Sequence, residues 1–261
     1  MRQAQDSELQ LLGTQPHLEW LELHVCPDLL PDEKLLCSSR LRRIALPGCS
    51  KVDDSTLELI GRNCPNLEIL DLRACENVTD KGILAVAEGC PKLKYLNVGR
   101  VKGGEKITCD GVDAIARYPP PSLFTSRRLR TEINCRLTDV DTLGLAGCSV
   151  GDRGIWSVAT NRGPKIERLS LNNCVLLSNA SIPLILPSTP NLQVLELRGC
   201  VKITHVRPIV EFRRKWRVRG VLIEGCEVFE GRMRRGEEEL EAEARGENIE
   251  HGNNESMVID S

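Results

Sequence analysis

The chain is poor in aromatic residues and has no excess of either charge. Phe, Trp and Tyr make up 3% of its 261 residues, so any core must be aliphatic. Lys plus Arg number 35 against 37 Asp plus Glu, a formal net charge of −2. Such a balance gives no overall basic field for nucleic acid. No apolar run approaches the ~18 residues of a membrane span, and the opening MRQAQDSELQ lacks the apolar stretch of a secretory signal. These absences predict a cytoplasmic or nuclear protein with no nucleic-acid or membrane partner. Ligand-like cysteine spacing is missing too: no C-x2-C or C-x4-C pair occurs, and His17, His24, His205 and His251 are scattered. The turn KGGEK at 102–106 lacks the Lys-Ser/Thr and helix of a phosphate loop. With no nucleophile set beside a base, the expectation is a non-enzyme with no catalytic residue, cofactor or metal.

What the chain does have is cysteine, twelve of them, in a regular comb. Cys49 and Cys75 are 26 residues apart, and Cys148, Cys174, Cys200 and Cys226 follow one another at the same interval. Cys64 and Cys90 repeat it at a second position. A fixed interval of this size marks a structural repeat. Around the comb the sequence reads L-x-x-L-x-L-x-x-C: LEWLELHVC from Leu18, LRRIALPGC from Leu41, LEILDLRAC from Leu67, LKYLNVGRV from Leu93, VDTLGLAGC from Val140, IERLSLNNC from Ile166, LQVLELRGC from Leu192 and VRGVLIEGC from Val218. The starts differ by 23, 26, 26, 47, 26, 26 and 26. That is the beat of a leucine-rich repeat.

The fold class expected is α/β: a right-handed, curved leucine-rich-repeat solenoid with parallel strands on the concave face and helices on the convex face. Leu67, Leu70 and Leu72 point inward while Ile69, Asp71 and Arg73 alternate outward. Asp54, Asp80, Asp152 and Asn179 sit where each helix would take its N-cap, and Ile83, Val86 and Ala87 share a helical face. Pro65, Pro91 and Pro190 end helices ahead of the next strand. The comb cysteines read as small buried donors for loop carbonyls rather than disulfides. No unit buries its apolar face alone, so stacking is obligatory.

CPNLEILDLRACENVTDKGILAVAEGCPKL is the pattern of cysteine-containing leucine-rich repeats common in F-box proteins. More narrowly, IALPGCSKVDD at Ile44–Asp54, LNVGR at Leu96–Arg100, LGLAGCSVGDRGIWSVA at Leu143–Ala159, IERLSLNNC at Ile166–Cys174, PIVEFRRKW at Pro208–Trp216 and VLIEGCEVFE at Val221–Glu230 resemble the antagonist of mitotic exit network family. The resemblance implies a protein-binding regulator of the end of mitosis. It implies as partners either Skp1 and cullin components of a Skp1–cullin–F-box ubiquitin ligase, with this chain recognising the substrate for ubiquitin-dependent catabolism, or a small GTPase of the exit network. An F-box of roughly 40 residues should precede the repeats, whereas 17 residues precede Leu18 and LLPDEKLL at Leu29–Leu36 has only a faint F-box flavour. The alternative expectation is therefore a competitive inhibitor of the GTPase acting without ligase activity.

Three segments stand outside the regular beat: residues 1–17, the excess at 118–139 within a solenoid of about eight repeats over 18–230, and an acidic tail at 231–261. Repeat four has Val101 in place of a comb cysteine, and ITCDGV where ITDxGV is expected. Tyr118–Asp139 leaves two readings open. One is a surface loop on the helix side. The other is a retained intron, since removing about 20 residues restores the beat. Arg213, Arg214, Lys215, Arg217 and Arg219 read as a solvated basic face around Trp216. The tail has too little apolar material to pack and reads as disordered or a frayed helix. On the concave face the expected partner-binding residues are Trp20, Arg43, Asp71, Arg73, Tyr95, Asn97, Arg168, Asn172, Glu196 and Arg198, a mixed-charge surface suited to a protein partner.

Overall fold

The computed structural model describes residues 17–27, 36, 38–117, 140–215, 222–224 and 227–245. Eight three-residue strands form one parallel sheet in sequence order: β1 Trp20–Glu22, β2 Arg43–Ala45, β3 Ile69–Asp71, β4 Tyr95–Asn97, β5 Thr142–Gly144, β6 Arg168–Ser170, β7 Val194–Glu196 and β8 Leu222–Glu224. Their register follows the repeats without slip, running Ile44, Leu70, Leu96, Leu143, Leu169 and Leu195 across successive ladders. The consensus triplets, such as Leu67, Leu70 and Leu72 or Ile166, Leu169 and Leu171, are fully buried. Each buried aliphatic side chain contributes about 1.5–3 kcal/mol, and one continuous aliphatic cluster runs from Leu21 to Val210. The protein is an α/β leucine-rich-repeat solenoid.

The helices are α1 Asp54–Asn63, α2 Asp80–Gly89, α3 Cys109–Arg117, α4 Asp152–Arg162, α5 Ile182–Ser188, α6 Arg207–Lys215 and α7 Glu227–Arg245. Ile83, Val86 and Ala87 form the buried face of α2. Pro65, Pro91 and Pro190 follow the caps of α1, α2 and α5 directly. The N-cap expectation needs correcting. The caps are the residues just ahead of α1, α2 and α4, namely Asp53, Thr79 and Gly151, and Ser181 ahead of α5. The predicted residues instead reach across to the next repeat. Asp54 accepts from the Thr79 amide (2.8 Å), the Thr79 hydroxyl (2.7 Å) and the Gly82 amide (3.0 Å). Asp80 does the same for Thr108 (2.9 and 2.6 Å), and Asp152 for Ser178 (2.9 and 2.6 Å) and the Ser181 hydroxyl. Asn179 accepts from the Thr204 and His205 amides, both at 2.8 Å. The helix layer is thus laced by side chains that satisfy the orphan amides of the following unit.

The comb thiols form a second ladder. Cys49, Cys75, Cys148, Cys174 and Cys200 donate to the carbonyls of Leu23, Leu46, Val98, Leu145 and Leu171 at 3.0–3.6 Å, each on the preceding repeat. Burial pushes the Cys75 thiol up to about 12 and Cys148 to about 11, so both stay protonated donors. Ahead of Cys26, Cys49, Cys75, Cys148, Cys174 and Cys200 the turn is left-handed, at Val25, Gly48, Ala74, Gly147, Asn173 and Gly199. Only glycine fits at 147, where a Cβ would lie under 3.0 Å from the Arg100 carbonyl oxygen.

Pairing passes directly from Tyr95 to Thr142, so the 47-residue interval leaves the sheet intact. Chain Tyr118–Asp139 departs after α3, and both its loop and intron readings fall outside the described residues. So do residues 1–16, most of Leu29–Leu36, the side chains of the basic run around Trp216, and 246–261. The acidic segment differs from the expectation of a tail that cannot pack. Residues 231–245 continue α7, whose Leu240 packs on the core. Arg207 of α6 grips Glu243 with two nitrogens, at 3.1 and 2.8 Å.

Candidate functional site

Strands of three residues present two outward rows and a third on the following turn. The first row runs Trp20, Arg43, Ile69, Tyr95, Thr142, Arg168, Val194 and the second Glu22, Ala45, Asp71, Asn97, Gly144, Ser170, Glu196. The third carries Arg73, Gly99, Ala146, Asn172 and Arg198. Small residues gather at the centre: Gly99, Gly144, Ala146 and Ser170. Gly144 has no Cβ, and the Asn97 amide leans into the space that one would fill. The result is a hollow of about 570 Å³ over β4–β7.

Six of the ten candidate residues line this hollow: Arg73, Tyr95, Asn97, Arg168, Asn172 and Glu196. Asn97 is held by the Tyr95 hydroxyl, to which it donates at 3.2 Å, and by the Gly99 amide at 3.0 Å. Glu196 accepts from the Ser170 hydroxyl (2.6 Å) and the Asn172 amide (2.8 Å). Asn172 also accepts from the Arg198 backbone at 2.7 Å. Four candidates lie elsewhere. Trp20 is 68% exposed on the first strand, Arg43 pairs with Glu22 at 2.5 Å, and Arg198 lies off the hollow. Asp71 is a correction to the outward alternation, being 8% exposed. Its carboxylate is held at 2.7–3.0 Å by the guanidinium of Arg73. That bond holds the Arg73 pKa above its ordinary value, and it leaves Asp71 no face for a partner.

The arginines therefore differ. Arg43 and Arg73 have carboxylates of their own, whereas Arg168 is exposed and its guanidinium has no partner among the described residues. Its register neighbours, Thr142 and Val194, are neutral. The floor of Gly99, Gly144 and Ala146 was missed by sequence reasoning, as were Arg100 and Val101 at the rim. Gly144 had a signal: no other second-row strand residue from Glu22 to Glu196 is a glycine. On the convex side a groove of about 430 Å³ runs between α1 and α2, with Glu58 already paired to Lys81 and Arg62. Among the described residues no cluster of His, Cys, Asp and Glu is arranged to hold a metal, and no helix is long and apolar enough to cross a membrane.

Comparison with known proteins places this geometry. The family profile described as Leucine Rich repeat matches residues 63–87. The chain is 52% identical over 242 residues to "Antagonist of mitotic exit network protein 1" of Yarrowia lipolytica, covering 91% of this chain and 31% of that protein. It is 40% identical over 216 residues to the protein of that name from Saccharomyces cerevisiae, covering 81% and 36%. A solved chain from "Crystal structure of Rad7 and Elc1 complex in yeast" aligns at TM-score 0.47 and 17% identity, over 79% of this chain and 56% of that one. The chain thus spans about a third of the length of these two curated relatives. Across the leucine-rich-repeat stretch that it shares with them, it is a member of the antagonist of mitotic exit network family.

Proposed function

We propose that the concave face binds a protein partner in the control of mitotic exit, with the chain as the substrate-recognition part of a Skp1–cullin–F-box ubiquitin ligase. The observation that carries the binding role is the hollow over β4–β7, which brings together Tyr95, Asn97, Arg168, Asn172 and Glu196 from three strands and one turn. Tyr and Arg at the centre of a concave, partly desolvated surface are the residue types that dominate protein interfaces. The ligase setting draws on family membership and on the F-box flavour of this repeat class. A second reading, a competitive inhibitor that occludes a small GTPase without ubiquitin transfer, needs only the same face.

The test is affinity recovery with mass spectrometry, comparing the unmodified chain with Thr142→Trp, which fills the hollow, and Leu84→Arg on the convex surface. Loss of partners with Thr142→Trp and retention with Leu84→Arg is expected. Equal recovery from both would overturn the concave reading. Skp1 and cullin among the recovered proteins would favour the ligase role. A GTPase recovered without them would favour the inhibitor.

A further inference from the structure

Resting on that concave-face reading, we infer that the hollow takes an aspartate or glutamate side chain from an extended segment of the partner, and that Arg168 is the residue that selects it. The hollow spans four strands at ~4.8 Å spacing, so roughly 15 Å, the length of four or five extended residues. Its charges are unequal in their needs. Arg73 is held by Asp71 at 2.7 Å. Arg100, at the rim, turns its guanidinium into the fold, donating to the carbonyls of Val98, Val78 and Gly103 at 3.0–3.2 Å. Glu196 already accepts two hydrogen bonds from within the hollow. Arg168 alone among the lining arginines has neither a carboxylate nor a carbonyl on its guanidinium among the described residues.

A guanidinium presents parallel N–H donors that match a carboxylate, and the bond strengthens as docking removes water. A basic side chain would meet Arg168 directly and offer Glu196 only what Ser170 and Asn172 already supply. A phosphate, with a charge of about −1.5 to −2, would face Glu196 across the same hollow with one uncommitted cation to balance it. A single carboxylate fits both groups. Placed at Arg168, it pairs the uncommitted guanidinium and leaves Glu196 with the two bonds it already has.

The test uses the 261-residue chain and immobilised nonapeptide pools, random except for a fixed central Asp, Asn, Arg or phosphoserine. Retention of the Asp pool is expected to exceed that of the Asn pool by about tenfold, the equivalent of one charge-assisted pair. Arg168→Gln should erase that difference, Arg168→Lys should keep part of it, and Arg168→Glu should move the preference to the Arg pool. Circular dichroism and melting of each variant check that the solenoid is intact. Equal retention of the Asp and Asn pools, or a phosphoserine pool outranking Asp, would overturn the inference. The two proposals fail separately. Partner recovery abolished by Thr142→Trp with no Asp preference would sink only the carboxylate reading. Recovery unaffected by Thr142→Trp would sink the concave reading itself.

Discussion

The turn after β3 and the turn after β4 fill the same space by different means. In the third repeat Ala74 takes the left-handed conformation, φ 58°, and Cys75 drops inward to donate to the Leu46 carbonyl at 3.1 Å. In the fourth, Arg100 stands at the position of Ala74 and goes inward itself, 5% exposed, while Val101 in the cysteine position is thrown out to 97%. The left-handed residue moves to Gly103, φ 68°, and a 3-10 turn at Gly104–Lys106 takes up the added length. A thiol supplies one weak donor in a small volume. A guanidinium supplies several stronger ones in a larger volume, and the loop lengthens to house it. A buried side-chain donor under the turn therefore need not be a cysteine.

The largest effect should come from removing that guanidinium. Arg100→Met keeps much of the volume but strips the Val78 carbonyl of its donor and leaves the Gly103 carbonyl with the Lys106 amide alone. Leaving the Val78 carbonyl unpaired costs about 1–3 kcal/mol, and the lost charge-assisted bond to Gly103 adds to it, so a loss of about 3 kcal/mol is expected in urea unfolding. Cys75→Ala removes one thiol bond and a small volume, and should cost about 1–2 kcal/mol. Equal losses would break the comparison, because Arg100 would then be only a tolerated substitute.

The same two repeats differ in the helix layer. Asp80 reaches Thr108 in the next unit, but at the following step Cys109 stands in the aspartate position and faces Gly151. The Gly151 amide donates to the sulfur at 3.4 Å. Acceptor and donor have changed together, a carboxylate for a thiol and a hydroxyl residue for a glycine. Asp80→Ala should cost about 2 kcal/mol, being a charged acceptor of two bonds, and Cys109→Ala less than about 1 kcal/mol. The aspartate rungs also carry a pH signature. Burial by itself would raise the Asp152 pKa, but the bonds donated by Ser178 and Ser181 outweigh it and hold the carboxyl below 3.8. Its stabilisation is therefore fully present above that pH and is lost as the pH falls through the depressed native value. Acid unfolding followed by circular dichroism should lose part of its steepness in Asp152→Asn. Unchanged steepness would remove that rung from the account.

How much of this was legible follows from which interactions are periodic. The inward Leu positions, the α2 face and the helix-ending prolines repeat at fixed spacing, and periodicity reports burial directly. Ownership of the aspartate caps was not legible, because Asp54 and Thr79 are 25 residues apart and local cap rules assign a side chain to its own helix. Alternation put Asp71 on the surface; the neighbouring Arg73 folds over it. Arg100 reads as exposed in any hydropathy pattern, and only the missing cysteine beside it marks the vacancy it fills. In the concave face the sequence exposes residue types but hides pairing, so Arg43, Arg73 and Arg168 look alike until the carboxylates of the first two are found.

The smallest expected effect tests the left-handed position itself. Ala74 pays for its φ of 58° with about 1–2 kcal/mol of steric cost, while glycine there would carry about 0.4–1 kcal/mol of extra unfolded-state entropy. Ala74→Gly should therefore stabilise the chain by about 0.5 kcal/mol, read as a rise in the urea midpoint at constant slope. Arg100 occupies the same repeat position without a positive φ, so Arg100→Gly cannot gain in this way and should only lose the guanidinium's bonds. Opposite signs for the two glycine substitutions would show that the turns differ in backbone as well as in donor. A loss at both would mean that Ala74 sits in its conformation without strain, and that the two turns differ by their side chains alone.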